Sequence, residues 1–271
     1  MKDQSEYNAY RIPVPPEFEE VFSHFYVAEN TSRNAVRRRL LPSYQTILIF
    51  NFGTKALLQS GDEEIETGKC LALGPVKRAF EYTLPPGSEI LVVNFRDDAF
   101  YRFFGNAMIA ENLRSDPDAL TGEGCFSDLW EQLNTLPDTD LRVNFILDFC
   151  RPYLKKRNPV IGRLASFDDK SLDVIKTLAE ETGQTERNMQ LWHRKYLGYS
   201  AKEIRRYYRF LKAVEMVQQG ITSASGVNWF DIIHQCNYYD QSQLIRDFKH
   251  YLDLTPTRYL KFQQEICNPV G

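Results

Sequence analysis

The stretch from Trp229 to Ile266, WFDIIHQCNYYDQSQLIRDFKHYLDLTPTRYLKFQQEI, decides the reading of this 271-residue chain. Its apolar spacing predicts a short helix over Trp229 to Gln235 and a second helix over Gln241 to His250. A tight polar segment, Cys236 to Asp240, separates them. Thr255-Pro256 opens a third helix, with Thr as N-cap and Pro at the first helical position. Helix, short turn, helix is the arrangement whose second helix enters the major groove of DNA.

At about 100° per residue, Leu244, Phe248 and Tyr251 share one side of the second helix, with Gln241 at its edge. Ser242, Gln243, Arg246 and Lys249 spread over the other side. The first set suits a core, and the second is rich in groups that bond base edges and phosphates. A merely solvated face is the plain alternative for such a set. The resemblance carried by these residues favours DNA. Asp231-Ile232, Tyr238 to Ser242, Ile245 to Lys249, and Leu254-Thr255-Pro256 with Tyr259 resemble the second helix-turn-helix of the AraC family of transcription regulators. Asn237 and Asp253 stand where that family usually has Gly, and both residue types tolerate left-handed backbone. Ile233 stands where a small Ala is usual. Gln243 stands where His is frequent, so a base preference does not transfer there.

A first unit of the same kind precedes it. Asp168 to Ser171 leads into a helix over Leu172 to Thr182, which Gly183 ends, and Thr185 is a good N-cap for the next, Glu186 to Lys195. Leu178-Ala179, Thr185, Arg187, Met189, Gly198, Tyr199-Ser200 and Lys202 carry the resemblance. Met189, Trp192, His193 and Tyr196 form the face to be buried, with His193 read as a satisfied core residue. Arg187, Gln190, Leu191 and Arg194 face outward. Leu191 occupies a position where the family often has a base-reading Arg; an apolar side chain cannot bond guanine but can touch a thymine methyl. Between the units, Ala201 to Gln218 reads as one helix roughly 27 Å long, with Ile204, Tyr207-Tyr208, Leu211, Val214 and Val217 as its core stripe and Gly220 ending it. Arg205, Arg206, Arg209 and Lys212 decorate the rest. Such a spacer suits two recognition helices in successive major grooves, about 34 Å apart.

The first half reads differently. Gln45 to Asn51 is β-branched and aromatic, and short strands follow over Ala56 to Gln59, Glu64 to Glu66, Gly68 to Leu73, Ala79 to Leu84 and Glu89 to Phe95. Ser60-Gly61-Asp62, Gly74-Pro75 and Pro85-Pro86-Gly87 punctuate them. This spacing predicts an antiparallel barrel or jelly roll. Tyr10 to Pro16, Leu41-Pro42, Leu48 to Asn51, Leu73 to Pro75, Val93 to Phe95, Ala99-Phe100 and Phe103 to Gly105 resemble the cupin-like sensor domain of an AraC subgroup. Asp97-Asp98 is read as capping a helix with Phe100, Phe103 and Phe104. Ser127 to Leu136 is a second helix, and Thr139 caps a third with Leu141, Phe145, Phe149 and Tyr153. Pro152 bends it. In the resembling family, helices here often dimerise the domain; packing on their own barrel is the alternative.

The expected fold class is α+β. Residues 1–157 form a cupin-like antiparallel β-barrel with flanking helices, and residues 158–271 an all-α domain with two helix-turn-helix units joined by a long helix. The formal net charge is -3, so bulk charge does not announce a nucleic-acid binder. From Asn158 onward 15 Lys and Arg face 13 Asp and Glu, a balance of +2, so binding rests on local placement. Five scattered cysteines without a CxxC read as reduced thiols, and the absence of an apolar leader or an 18-residue apolar run points to a cytoplasmic protein with no membrane span. Four histidines (24, 193, 234, 250), with His24 alone in the β half, cannot supply a cupin metal site, and no catalytic constellation is defensible. No cofactor or metal is expected. The Arg37-Arg38-Arg39 run reads as solvated charge, with an anionic ligand as the alternative.

The expected function is a sequence-specific DNA-binding transcription regulator and not an enzyme. Its DNA-binding residues would be Arg187, Gln190, Arg194, Lys202, Gln241, Ser242, Gln243, Arg246 and Lys249. Of these, Lys202 and Lys249 suit phosphates. Double-stranded DNA is the partner, and the resemblance implies RNA polymerase, a homodimer and a small-molecule effector or protein partner at the N-terminal domain. Two alternatives stay open: a ligand-binding cupin-like protein, and a regulator with no small-molecule effector.

Overall fold

The computed structural model describes residues 6–60, 63–105, 114–121, 124–166, 174–222 and 226–267. The first half contains strands β1 (Tyr7–Ile12), β2 (Phe22–Asn30), β3 (Val36–Leu40), β4 (Ile47–Gly53), β5 (Leu57–Ser60), β6 (Glu63–Glu66), β7 (Cys70–Leu73), β8 (Phe80–Leu84) and β9 (Ser88–Phe95). Helix α1 (Ala99–Phe104), the two-residue strand β10 (Arg114–Ser115) and helices α2 (Pro117–Thr121), α3 (Cys125–Thr135) and α4 (Thr139–Cys150) follow. The strands form two antiparallel sheets, ordered β1-β2-β9-β4-β7-β10 and β3-β8-β5-β6. The expected hairpin is there, with Ser60 opposite Glu63, although its turn residues 61 and 62 lie outside the described residues.

The antiparallel β-architecture therefore takes the form of two facing sheets. Ile47, Ile49, Ile90 and Val92 of the larger sheet meet Leu58, Ile65, Tyr82 and Leu84 of the smaller one in a shared core. The other face of the larger sheet is covered too. Phe50, Phe52, Leu91, Val93 and Phe95 pack against Phe100 of α1, Leu129 and Leu133 of α3, and Val143, Ile146 and Leu147 of α4. Burial on both faces explains why β4 is a continuous apolar run and not an alternating one. It also shows that α3 and α4 pack on their own domain.

Three strands escaped the sequence reading. β1 is a largely exposed edge strand, β2 mixes polar and apolar residues, and β3 carries the arginine run. On β3, Arg37 and Arg39 pair with Glu81 of the neighbouring β8, and Arg38 lies 4.6 Å over the Tyr7 ring. Charge on an edge strand discourages pairing with another chain. The expected solvated run thus has structural partners.

Local expectations need correction at five places. Asp98 is at the N-cap of α1 but makes no side-chain cap bond; its carboxylate instead meets Arg157 at 3.0 Å and Arg102 at 3.5 Å. Helix α4 is capped by Asp138, whose side chain accepts from the Leu141 amide, and Thr139 is its first residue. Leu141 is exposed, because the buried face of α4 runs through Val143, Ile146, Leu147 and Cys150. Leu211 is exposed for the same reason of phase: the stripe on the long helix runs through Tyr207, Phe210, Ala213 and Val217. That helix does not stop before Gly220 but continues to Thr222, making it roughly 33 Å long. Gly220 serves close approach, since a Cβ there would lie 2.8 Å from the Val227 side chain.

The second half is helical throughout: α5 (Pro159–Ala165), α6 (Val174–Thr182), α7 (Glu186–Leu197), α8 (Ala201–Thr222), α9 (Trp229–Gln235), α10 (Gln241–Leu252) and α11 (Pro256–Cys267). The expected lead-in over Asp168 to Leu172 lies outside the described residues. One hydrophobic cluster runs through all seven helices. The β half docks on it directly. The Ala79 amide donates to the Tyr251 carbonyl at 2.8 Å, Arg39 to the Leu252 carbonyl at 3.0 Å, and the Tyr207 hydroxyl to the Pro42 carbonyl. Lys77 pairs with Glu203 at 2.8 Å. The Ser200 amide and hydroxyl also donate to Glu203, and together these bonds outweigh the effect of burial and bring its carboxyl down to about 2.

Gly53 ends β4 with φ +69°, and a Cβ there would lie 2.2 Å from the Gly87 carbonyl oxygen. Gly53→Ala should therefore destabilise the protein by about 1–3 kcal/mol, read as a fall in the urea unfolding midpoint with no change of slope.

Candidate nucleic-acid interface

The first unit pairs α6 with α7. Gly183 leaves α6 in the left-handed conformation, and the Thr185 hydroxyl then accepts from the Asn188 amide at 3.2 Å to start α7. Met189 and His193 point into the core, while Arg187, Gln190, Leu191 and Arg194 are exposed on one side of α7. The His193 Nδ1 bonds the Tyr199 carbonyl at 2.7 Å, so the expected core position holds, but the buried Nε2 has no hydrogen-bond partner among the described residues and the ring is only half satisfied. Burial pushes its pKa below the ordinary histidine value, against the opposing pull of that carbonyl. Lys202 is exposed on the first turn of α8. That helix starts with a reciprocal cap: the Ser200 hydroxyl accepts from the Glu203 amide, and the Glu203 carboxylate accepts from the Ser200 amide. The Ser-x-x-Glu spacing was legible but went unread.

The second unit pairs α9 with α10. Asn228 caps α9 through bonds from the Phe230 and Asp231 amides. Asn237 turns the chain with φ +56°, and Asp253 ends α10 with φ +55°. Both therefore do what Gly would do. Asp240 caps α10 by accepting from the Gln243 amide at 2.7 Å. The Gln243 Oε1 reaches back to accept from the Tyr239 amide at 2.8 Å. Gln243 is thus half-buried in the cap, whereas Gln241, Ser242, Arg246 and Lys249 are exposed. Ser242, Arg246 and Lys249 share one face of α10 at helical spacing. Tyr239, 92% exposed just before the cap, counts in the family resemblance but carries no expected contact to DNA.

The rotation of α10 is fixed from behind. Phe248 and Tyr251 pack on Phe210 of α8 at ring distances of 5.2 and 4.5 Å. Asp247, the residue before Phe248, is buried, taking bonds from Arg206 Nε at 2.7 Å and Arg209 Nη2 at 2.9 Å. Arg206 and Arg209 are therefore committed to a buried carboxylate and are not merely surface decoration on α8. Among the described residues no group of three or more His, Cys, Asp and Glu is placed to hold a metal ion. No helix of the described residues is long and apolar enough to cross a membrane.

Two helix-turn-helix units, each with a capped second helix exposing cations and amides or hydroxyls, define a DNA-binding domain. Residues 178–261 match the family model described as a helix-turn-helix domain, and residues 10–112 match one described as a domain of unknown function. Residues 178–261 thus form an AraC-type helix-turn-helix domain, a DNA-binding module, and an N-terminal β-rich region precedes it. None of the curated proteins matches it significantly. Among solved structures it is similar to ToxT from Vibrio cholerae, with 11% identity over 95% of this chain and 98% of that one and a TM-score of 0.40. ToxT from Vibrio cholerae O395 bound to (E)-4-(8-methylnaphthalen-1-yl)but-3-enoic acid gives 12% identity, coverage of 95% and 99%, and a TM-score of 0.39. FeII HppE is similar over 33% of this chain and 50% of its own, at 15% identity and a TM-score of 0.27.

The buried imidazole makes stability depend on pH. Unfolded His193 takes up a proton near 6.5, while the folded protein resists protonation until lower pH. Its contribution is thus complete above about pH 6.5 and is lost as pH falls below it, by up to about 1.4 kcal/mol per pH unit. His193→Phe should flatten the fall in stability between pH 7 and 5 relative to the parent, measured by urea unfolding at each pH.

Proposed function

We propose that the protein reads a specific DNA site with both units and that its N-terminal domain governs this activity. The observation that carries the reading is the exposure of both helix faces in the whole chain. Arg187, Gln190 and Arg194 on α7, and Ser242, Arg246 and Lys249 on α10, stay uncovered while the N-terminal domain is docked. On this reading Ser242, Gln243 and Arg246 meet bases in the second unit. Arg187, Gln190 and Arg194 do so in the first, with Gln241 at the edge of the interface. Lys202 and Lys249 hold phosphates, which position without specifying. Gln243 offers its Nε2 to a base edge while its Oε1 stays in the cap. Leu191, 52% exposed among the polar groups of α7, faces a thymine methyl.

The N-terminal domain is the natural seat of control, by a small molecule or a protein partner, because it bonds directly to the C-terminal end of α10. A homodimer and contact with RNA polymerase complete the proposed regulator. Selection of the purified protein against random duplex DNA at two salt concentrations tests the central reading. Two enriched blocks about one helical turn apart support both units, and binding without enrichment, lost steeply with salt, would reject sequence reading.

On the selected site, Arg246→Ala should cost about 1–3 kcal/mol and relax preference at one base position. Lys249→Ala should weaken all sequences alike and reduce the salt slope by about 1. Titration by fluorescence anisotropy separates the two; an Arg246→Ala chain with parental affinity would remove α10 from the groove.

A further inference from the structure

Tyr44 belongs to the loop between β3 and β4, yet its ring is buried in the hydrophobic cluster of the C-terminal helices. It meets Tyr199 edge-on at 5.1 Å and stacks on Tyr207 at 4.6 Å. Burial, and next the neighbouring Tyr251 phenol, push its hydroxyl well above the ordinary tyrosine range. These three neighbours belong to different parts of the DNA-binding half. Tyr199 follows the first unit, Tyr207 lies on α8, and Tyr251 is in the last turn of α10. Helix α7 packs chiefly on α5 and α6, whereas α8 carries α9, α10 and α11, so the two units lean on separate partners.

The loop is held stiffly. Ser43 and Tyr44 both donate to the Val76 carbonyl, at 3.0 and 3.1 Å, and Val76 donates to the Gln45 carbonyl at 2.9 Å. Tyr44 has φ +56°, a conformation rare for a bulky side chain that persists where the surroundings over-determine it. On either side, the same domain touches the ends of both reading helices. Tyr101 of α1 lies 4.4 Å from the Tyr196 ring of α7, while Ala79 and Arg39 bond the last carbonyls of α10.

We propose that Tyr44 is a positioning residue for DNA reading: its ring is a wedge from the N-terminal domain that sets the angle and separation at which α7 and α10 are presented. The proposal rests on the reading that both helices meet DNA. Tyr44 acts through Tyr199, Tyr207 and Tyr251. Movement of the 42–44 loop by anything that binds the N-terminal domain would then alter which site spacing the protein accepts.

The test measures helix separation first, without DNA. Gln190→Cys and Ser242→Cys, with Cys70, Cys125 and Cys267 replaced by Ser, carry spin labels on the full-length chain. One narrow distance is expected for the parent and for Tyr44→Phe, which keeps the ring. A broadened or shifted distance is expected for Tyr44→Ala. A Tyr44→Ala distribution equal to that of the parent would overturn the proposal, and so would loss of its cooperative melt, which would make the ring a requirement of folding. With unlabelled protein and selected duplexes whose blocks are moved apart by one to three base pairs, the parent should discriminate at least tenfold and Tyr44→Ala should not. A protein that binds no duplex would defeat the DNA reading alone, since the distance result stands without it.

Discussion

Packing of α10 on α8 is the constraint on which the interface depends. A reading helix must be immobile on one side to be specific on the other. Phe210 supplies the apolar part of that grip through Phe248 and Tyr251. Asp247 supplies the directional part. A buried carboxylate between two guanidinium groups is weak evidence for stability, because desolvation offsets much of the attraction. Its geometry is exacting, however: Arg206 and Arg209 sit one turn apart on α8 and meet the two carboxylate oxygens from one side. A small rotation of α10 would break both bonds. The outward direction of Ser242, Arg246 and Lys249 follows from that lock.

The N-terminal domain is organised by a different constraint. Its larger sheet is covered on both faces, by the smaller sheet and by helices α1, α3 and α4. The remaining surface includes the loops around Pro42, Tyr44, Lys77 and Ala79, and these meet α8 and the end of α10. Docking at helix C-termini has a physical logic. The last carbonyls of a helix lack partners within it, and Ala79 and Arg39 satisfy two of those on α10. The contact closes the back of the helical half and leaves the exposed faces of α7 and α10 open.

The helical half was legible because its signals are local. Thr185, Gly183, Asn237, Asp253 and Thr255-Pro256 each mark a boundary through their own backbone or side-chain chemistry, and the structure uses all of them. On α8 the expected stripe holds at Ile204, Tyr207, Tyr208, Val214 and Val217 and fails only at Leu211, because adjacent apolar residues, Phe210-Leu211, allow two choices and packing against Phe248 selects Phe210. Strands β1 and β3 were obscure because edge strands expose polar side chains and lose the alternation that marks a strand, and the internal strand β2 because it mixes polar and apolar residues on buried faces. Tyr44 and Asp247 were beyond reach for another reason. Each is defined by a partner more than thirty residues away, and nothing in LPSYQT or IRDFK tells a buried side chain from an exposed one.

The charge balance gives the two units different work on the proposed reading. A chain of net charge -3 has little non-specific attraction for DNA, so its placed cations must carry the phosphate contacts. On α8 two arginines are withdrawn to Asp247, and on β3 two are withdrawn to Glu81. On the proposed reading faces themselves stand Arg187, Arg194 and Lys202 around the first unit and Arg246 and Lys249 on the second. With five cations on the two proposed faces and a net charge of only +2 over this half, affinity on this reading draws on simultaneous engagement of both units. The second contact is then governed by geometry more than by charge, because an effective local concentration collapses if the two helices cannot reach their grooves together. A protein of this charge is therefore more sensitive to the relative placement of α7 and α10 than a strongly basic one would be, and that placement is where its N-terminal domain makes contact.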